Sequence, residues 1–89
     1  MRHQLEEILK EELRKLAITT RDELKLTQRE MAERLEMSES SYSDIETGRT
    51  MCGTLTTVLL LDMQDEPKDF LYDVRMKFER QYEKEMQLL

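Results

Sequence analysis

The sequence predicts an all-α fold built from five helices. Apolar residues recur at spacings of three and four in successive segments, which places them on one face of each helix. Serine, threonine, glycine and proline residues separate these segments, as they do at helix ends. Strand-like alternation is nearly absent, and two glycines, one proline and no tryptophan among 89 residues are typical of a small helical bundle. This length predicts one domain over residues 1 to 89.

The first predicted helix covers residues 3 to 24. Its apolar positions follow helical spacing and comprise Leu5, Ile8, Leu9, Leu13, Leu16 and Ala17. Glutamate and lysine residues occupy the remaining face, where they can pair one turn apart. Thr19 and Thr20 are poor helix formers and leave open a break within the segment. We expect one long helix.

The second predicted helix starts at Thr27. Thr27 and Glu30 have the spacing of a capping box, in which each side chain satisfies a free backbone N–H of the other residue. Leu26 and Met31 flank this box as a hydrophobic staple. The residues predicted to face the core are Met31, Ala32 and Leu35.

The third predicted helix is short, from about Ser38 to Thr47. Ser38 is a candidate N-cap, and Gly48 supplies the left-handed conformation that ends a helix. Tyr42 and Ile45 are predicted to point inward. One outward polar stripe remains and is the candidate functional surface: Glu39, Ser40, Ser43, Asp44 and Thr47.

The last two predicted helices carry more apolar surface than an isolated helix can expose. The fourth, from Thr54 as N-cap to Met63, is apolar on more than one face and is expected to be central to the core or covered by a partner chain. The fifth starts near Pro67, since proline suits the first helical position. Its predicted stripe is Leu71, Val74, Phe78, Tyr82 and Met86. This stripe packs either on the N-terminal helix of the same chain or on a second copy across a two-fold axis.

Residues 27 to 49 resemble the helix-turn-helix of the Cro and lambda-repressor-like (xenobiotic-response-element, XRE) family. The family's small residue at the helix crossing is matched by Ala32. Its apolar positions are matched by Met31, Leu35, Met37, Tyr42 and Ile45. Leu26-Thr27-Gln28 matches the start of the family motif, and Glu46-Thr47-Gly48 matches its end. The resemblance covers about residues 12 to 72.

The resemblance implies a five-helix lambda-repressor-like domain with extended terminal helices. The motif would occupy residues 27 to 48, with helical extensions over about residues 1 to 11 and 73 to 89. It also implies a partly buried salt bridge from Arg21 to Glu46. Glu36 stands where the family has a turn glycine, so a left-handed conformation costing about 1 kcal/mol is expected there. Leu60 stands where the family places a polar residue, which indicates either deeper packing or a dimer surface.

The implied function is sequence-specific DNA binding by a transcriptional regulator. Carried onto this sequence, the base-reading positions are Glu39, Ser40 and Asp44, with Ser38 and Ser43 beside them. The phosphate-contacting positions are Thr27, Gln28, Thr47 and Arg49, and Arg29 is a second cation that could face the DNA backbone. The expected partner is double-stranded DNA with a pseudo-palindromic operator, bound by a homodimer.

The charge of the chain opposes this function. The formal charge is −6, and residues 27 to 54 hold three arginines against six acidic residues. Loop positions that are often basic in the family are here Met51, Cys52 and Thr54. The alternative is an acidic helical adaptor, similar to an antitoxin or anti-repressor, that binds a basic protein partner with weak or no DNA binding.

Other function classes find little support in the sequence. Cys52 is the only cysteine and His3 the only histidine, so a metal cluster or thiol–imidazole pair within one chain is not expected, nor is a cofactor. The paired glutamates lie on a solvated helix face without a nucleophile, so we do not expect an enzyme. The N-terminus is too polar for a signal peptide, and the longest apolar run, residues 58 to 61, is too short to span a membrane. We expect a cytoplasmic protein.

Overall fold

The computed structural model describes residues 1 to 88 and consists of five α-helices joined by short turns. The helices are α1 (Arg2–Glu23), α2 (Gln28–Arg34), α3 (Glu39–Glu46), α4 (Thr54–Asp62) and α5 (Pro67–Gln87). No strand occurs within the described residues. The predicted all-α, five-helix, lambda-repressor-like architecture is therefore confirmed.

The first helix is continuous through both threonines. Thr20 is buried, and its hydroxyl accepts a hydrogen bond from Nε2 of Gln64 at 2.9 Å. This tertiary contact offsets the low helix propensity of a β-branched residue, so the break left open by the sequence does not occur. The expectation of one long helix is confirmed.

Three of the helices end in the same type of turn, and only one of these three turns contains a glycine. After α1, α2 and α3 the chain enters the left-handed region at Lys25, Glu36 and Gly48, with φ of 57°, 58° and 78°. In each case the next amide donates to the carbonyl five residues earlier, as from Met37 N to Ala32 O at 3.0 Å. This is the Schellman arrangement. The left-handed conformation expected at Glu36 is present, and Lys25 adopts the same conformation although it is not a glycine.

The core joins all five helices, with Phe70 and Val74 as the contribution of α5. Its fully buried side chains are Tyr42, Leu13, Met31, Leu35 and Leu60. Leu60 has 0% of its surface exposed, so it packs inside the chain and is not part of a dimer surface. The same helix α4 leaves Leu55 and Val58 largely exposed. The prediction of Thr54 as the N-cap was wrong. Gly53 is the N-cap, Thr54 is the first residue of the helix, and no side chain caps this helix end.

The fifth helix packs on α1 of the same chain. Lys77 Nζ lies 2.7 Å from Glu12 Oε2, while Gln64, just before α5, contacts Thr20, so the two helices run antiparallel. The predicted inner stripe was partly wrong, because Leu71 is 57% exposed and Phe70 is buried in its place. Val74 is buried as predicted, whereas Tyr82 and Met86 are exposed. Docking on α1 therefore selects the face that contains Phe70 and Val74.

Among residues 1 to 88, no helix has the length and apolar character needed to cross a membrane.

Candidate nucleic-acid interface

Helix α3 presents the candidate surface because its other side is fixed in the core. Ser38 caps the helix, accepting a hydrogen bond from Ser41 N at 3.2 Å. Tyr42 and Ile45 are buried against the other helices. Glu39, Ser40 and Thr47 are exposed, and Ser43 and Asp44 are partly exposed. The polar stripe predicted from the sequence is thus on the outside of the molecule.

Several hydroxyls of this surface already have partners inside the protein. Ser38 Oγ also donates to Ser41 Oγ at 2.9 Å, and it lies 3.5 Å from Ser40 Oγ. Thr47 Oγ1 donates to the carbonyl of Asp44 at 3.2 Å. These bonds leave accepting capacity on the oxygens but commit the donor hydrogens of Ser38 and Thr47.

Thr27 is similarly occupied at the start of α2. Its Oγ1 accepts from Glu30 N at 3.1 Å, and its own amide donates to Glu30 Oε1 at 2.9 Å. The hydrogen bond from the Thr27 amide is the largest cause that lowers the pKa of the Glu30 carboxyl. The capping box predicted from the sequence is complete, and it defines where α2 begins.

Behind the surface, the carboxylate of Glu46 connects three helices. Arg21 of α1 donates to it from Nε at 2.6 Å and from Nη2 at 3.1 Å. Gln28 of α2 donates from Nε2 at 3.0 Å, and the hydroxyl of Tyr42 donates within α3. Burial alone raises the pKa of Glu46, but these hydrogen bonds outweigh it and the pKa is lowered. Glu46 is therefore held as a carboxylate that fixes α1, α2 and α3 relative to one another.

Two members of this network were not predicted from the sequence. Gln28 was assigned to phosphate, yet one N–H of its side-chain amide donates to Glu46. One N–H and the amide oxygen remain for other contacts. Tyr42 was assigned only to the apolar core, but its hydroxyl donates to Glu46. The four-residue spacing of Tyr42 and Glu46 on one helix was a signal that could have indicated the second contact.

The two arginines proposed to meet phosphate are paired with acids on the surface. Arg49 Nη1 lies 3.6 Å from Asp44 Oδ1, and the side chain of Arg49 is 77% exposed. Arg29 Nε lies 3.6 Å from Glu33 Oε1, with equal exposure of the arginine. Ion pairs with such exposed side chains and such long nitrogen–oxygen distances contribute little to stability. Either guanidinium can therefore leave its carboxylate partner and bind a phosphate.

A third arginine lies near the end of α3 and was missed by the sequence analysis. Arg14 Nη1 donates to the carbonyl of Glu46 at 3.4 Å, at the helix end where carbonyls lack intrahelical partners. Its other nitrogens bind Glu11, with Nη2 2.7 Å from Oε1. Arg14 is distant in sequence from the motif, and only the folded packing of α1 on α3 brings it there.

Glu39 differs from the other charged residues of the surface. No ion pair or side-chain hydrogen bond to Glu39 is found in the part of the chain that the structure describes. It lies in the first turn of α3, where a carboxylate is favoured by the helix dipole. Glu39 and Asp44 are the two carboxylates of the exposed stripe, and when ionised they can only accept hydrogen bonds.

The helix arrangement agrees with a comparison to known protein families. The family described as helix-turn-helix domain matches residues 11 to 62, more than half of the chain. This chain belongs to the helix-turn-helix domain family, of the Cro and XRE-like kind. The match runs from the middle of α1 to the end of α4, so the first turns of α1 and all of α5 lie outside it. Comparisons with curated proteins and with solved structures found no match.

Membership of this family indicates DNA binding in general terms. In helix-turn-helix domains the second helix of the motif, here α3, is the element that enters the major groove. Within residues 1 to 88, no group of three or more histidine, cysteine or acidic residues is placed to hold a metal ion.

Proposed function

We propose that this helix-turn-helix domain is a sequence-specific DNA-binding regulator of transcription that places α3 in the major groove. The observation that carries the proposal is the Glu46 network, in which Arg21, Gln28 and Tyr42 all donate to one carboxylate. This network fixes α2 and α3 as one unit while Glu39, Ser40 and Asp44 remain outside it. A rigid frame behind an exposed polar stripe is what a base-reading helix requires.

Contacts to the DNA backbone would come from both ends of the motif. Arg49, three residues after the end of α3, would leave Asp44 for a phosphate, and Arg29 would leave Glu33 in the same way. A charge-assisted contact between guanidinium and phosphate is stronger than the exposed pairs that it replaces. The hydroxyls of Ser38 and Thr47 would have to give up bonds that they now donate, whereas the hydroxyl of Thr27 only accepts and could still donate to a phosphate. We therefore assign the main backbone contacts to the two arginines.

The acidic charge of the chain makes these contacts local. Because the protein carries a formal charge of −6, bulk attraction to DNA is absent and nonspecific binding should be weak. Specific binding would then depend on few ion pairs and on base contacts by the α3 stripe. The quantity that measures its specificity is the ratio of its affinity for the operator to its affinity for random DNA.

We further propose that one domain formed by residues 1 to 89 acts as a cytoplasmic homodimer. Two copies related by a two-fold axis would read half-sites of a pseudo-palindromic operator about 34 Å apart. Leu60 is buried within the chain and is excluded from the dimer surface. Exposed apolar side chains that could serve instead are Leu55 and Val58 on α4 and Leu71 and Tyr72 on α5.

The test is binding of the purified protein to its own promoter region, measured across a salt series against random DNA of equal length. We expect a site-specific complex whose affinity falls with salt and which is lost or greatly weakened in Ser40→Ala and Arg49→Ala. Arg75→Ala is the matched control, since Arg75 is as exposed as Arg49 and is also paired with an acid, Glu79, but lies on α5. It should bind DNA like the unaltered protein.

Absence of a specific complex even at low salt would contradict the proposal. The acidic residues of the α3 stripe would then favour the alternative, an adaptor that binds a basic protein partner. Equal weakening by Arg49→Ala and Arg75→Ala would show only the effect of net charge and would remove the assignment of Arg49 to the interface.

A further inference from the structure

The exposed stripe of α3 has a clear hydrogen-bonding polarity. Its two charged side chains, Glu39 and Asp44, are carboxylates, which accept hydrogen bonds and donate none when ionised. The donor hydrogens of Ser38 and Thr47 are already bound within the protein. Ser40 and Ser43 are hydroxyls that can donate or accept, so the fixed polarity of the surface comes from the two carboxylates, which are acceptors only.

The major groove offers donors at only two kinds of position. Cytosine presents the N4 amino group and adenine the N6 amino group, whereas guanine and thymine present acceptors to a side chain. In an A·T pair the amino group lies between two acceptors, N7 of adenine and O4 of thymine. In a C·G pair the amino group lies at the edge of the pattern, with an acceptor on one side only. A carboxylate therefore meets less repulsion at cytosine.

We propose that α3 selects C·G base pairs at the positions that face Glu39 and Asp44, with each carboxylate accepting a hydrogen bond from a cytosine N4 amino group. This inference rests on the proposed function and adds to it the chemical class of the operator. The charges of Glu39 and Asp44 oppose DNA binding in general. In this proposal the same two side chains determine which sequence is bound.

The surroundings of Glu39 and Asp44 allow each carboxylate to contact a cytosine of its own. Glu39 has no side-chain partner within residues 1 to 88 and can turn toward a base without breaking a bond. Asp44 has one, Arg49, at 3.6 Å. When a phosphate takes the guanidinium of Arg49, Asp44 loses its partner and requires a new donor, because an unpaired carboxylate against DNA is costly. A cytosine amino group at the adjacent base pair supplies that donor.

The experiment is selection of bound duplexes from a random double-stranded library by the full chain and by two variants. The variants are Glu39→Gln and Asp44→Asn, which replace an acceptor by an amide of similar size that can bind adenine at N6 and N7. We expect the unaltered protein to enrich C·G pairs at two positions of each half-site. Each variant should change one of these positions to A·T, with preference for C·G over A·T falling by roughly tenfold at that position alone.

Glu79→Gln is the matched control, because it removes the same charge from an exposed position on α5. It should leave the selected sequence unchanged even if overall affinity rises. Two results would overturn this inference and leave the proposed function intact. In the first, the protein enriches a defined sequence that neither α3 variant changes. In the second, the variants change that sequence only at A·T positions. Failure of the unaltered protein to enrich any sequence would overturn both.

Discussion

Arg21 and Glu46 make a two-point contact between α1 and α3, with Nε 2.6 Å from Oε2 and Nη2 3.1 Å from Oε1. The side chain of Glu46 is only 7% exposed, while that of Arg21 is 25% exposed. Arg21 also donates from Nη1 to the carbonyl of Leu26 at 3.2 Å, so it binds the turn that leads into α2. One guanidinium therefore links the first helix to both helices of the motif.

Replacing Arg21 by alanine should destabilise the domain strongly. The change leaves the Glu46 carboxylate buried without its cation, which typically costs about 3 kcal/mol. Urea unfolding followed by circular dichroism measures the change in the free energy of unfolding. Arg75→Ala, which breaks a pair on the surface of α5, should have little effect. Equal unfolding midpoints for Arg21→Ala and the unaltered protein would contradict the structural role assigned to this pair.

The same network predicts how stability depends on pH. The pKa of Glu46 is lowered from 4.5 in the folded protein, so the folded state binds a proton at this group less tightly than the unfolded chain does. The stabilisation is therefore complete above about pH 4.5 and is lost as pH falls through the folded pKa. Glu46→Gln cannot titrate. The free-energy difference between the two proteins should shrink as pH falls from 7 to 3.

This comparison isolates Glu46 from the other carboxyl groups. The pKa values of Glu11, bound by Arg14, and of Glu30, bound by Thr27, are also lowered, but both groups are exposed and titrate identically in the two proteins. A difference in unfolding free energy that stays constant over this pH range would show that Glu46 does not supply the pH-dependent part.

The buried half of the motif could be predicted from the sequence because its signals are local. The capping box at Thr27, the apolar spacing of Met31 and Leu35, and the stop at Gly48 each depend on neighbours within a few residues. The five helices and their boundaries followed to within one or two residues.

The parts that were missed depend on contacts between helices. Phe70 and Leu71 are adjacent and both apolar, so periodicity alone allowed two inner faces for α5, and docking on α1 chose the one with Phe70. The orientation of the Gln28 amide toward Glu46, and the approach of Arg14 to the end of α3, likewise needed the folded arrangement. Which bases α3 contacts also cannot be read from spacing, because it depends on partners such as Arg49.

The turn between α2 and α3 predicts a stabilising substitution. Glu36 has φ of 58°, a left-handed conformation that strains a residue with a side chain, and its side chain is exposed. Glu36→Gly should therefore raise the unfolding free energy by about 0.5 to 1 kcal/mol. Glu33→Gly is the control, since it removes the same charge inside α2 and should destabilise by about 1 kcal/mol. Equal destabilisation by both changes, measured by urea unfolding, would show that relief of strain at Glu36 is negligible.

Helix α4 provides a prediction that separates the core from the proposed dimer surface. Leu60 is 0% exposed and Leu55 is 65% exposed, although both lie on one short apolar helix. Leu60→Ala removes fully buried methyl groups and should lower the unfolding free energy by about 3 kcal/mol. Leu55→Ala should leave the unfolding of dilute protein unchanged, because its side chain is already in water, but should weaken self-association measured by sedimentation if Leu55 belongs to the dimer surface. Similar losses of stability in both variants would place Leu55 in the core, and unchanged association in Leu55→Ala would move the dimer surface to α5, where Leu71 and Tyr72 are exposed.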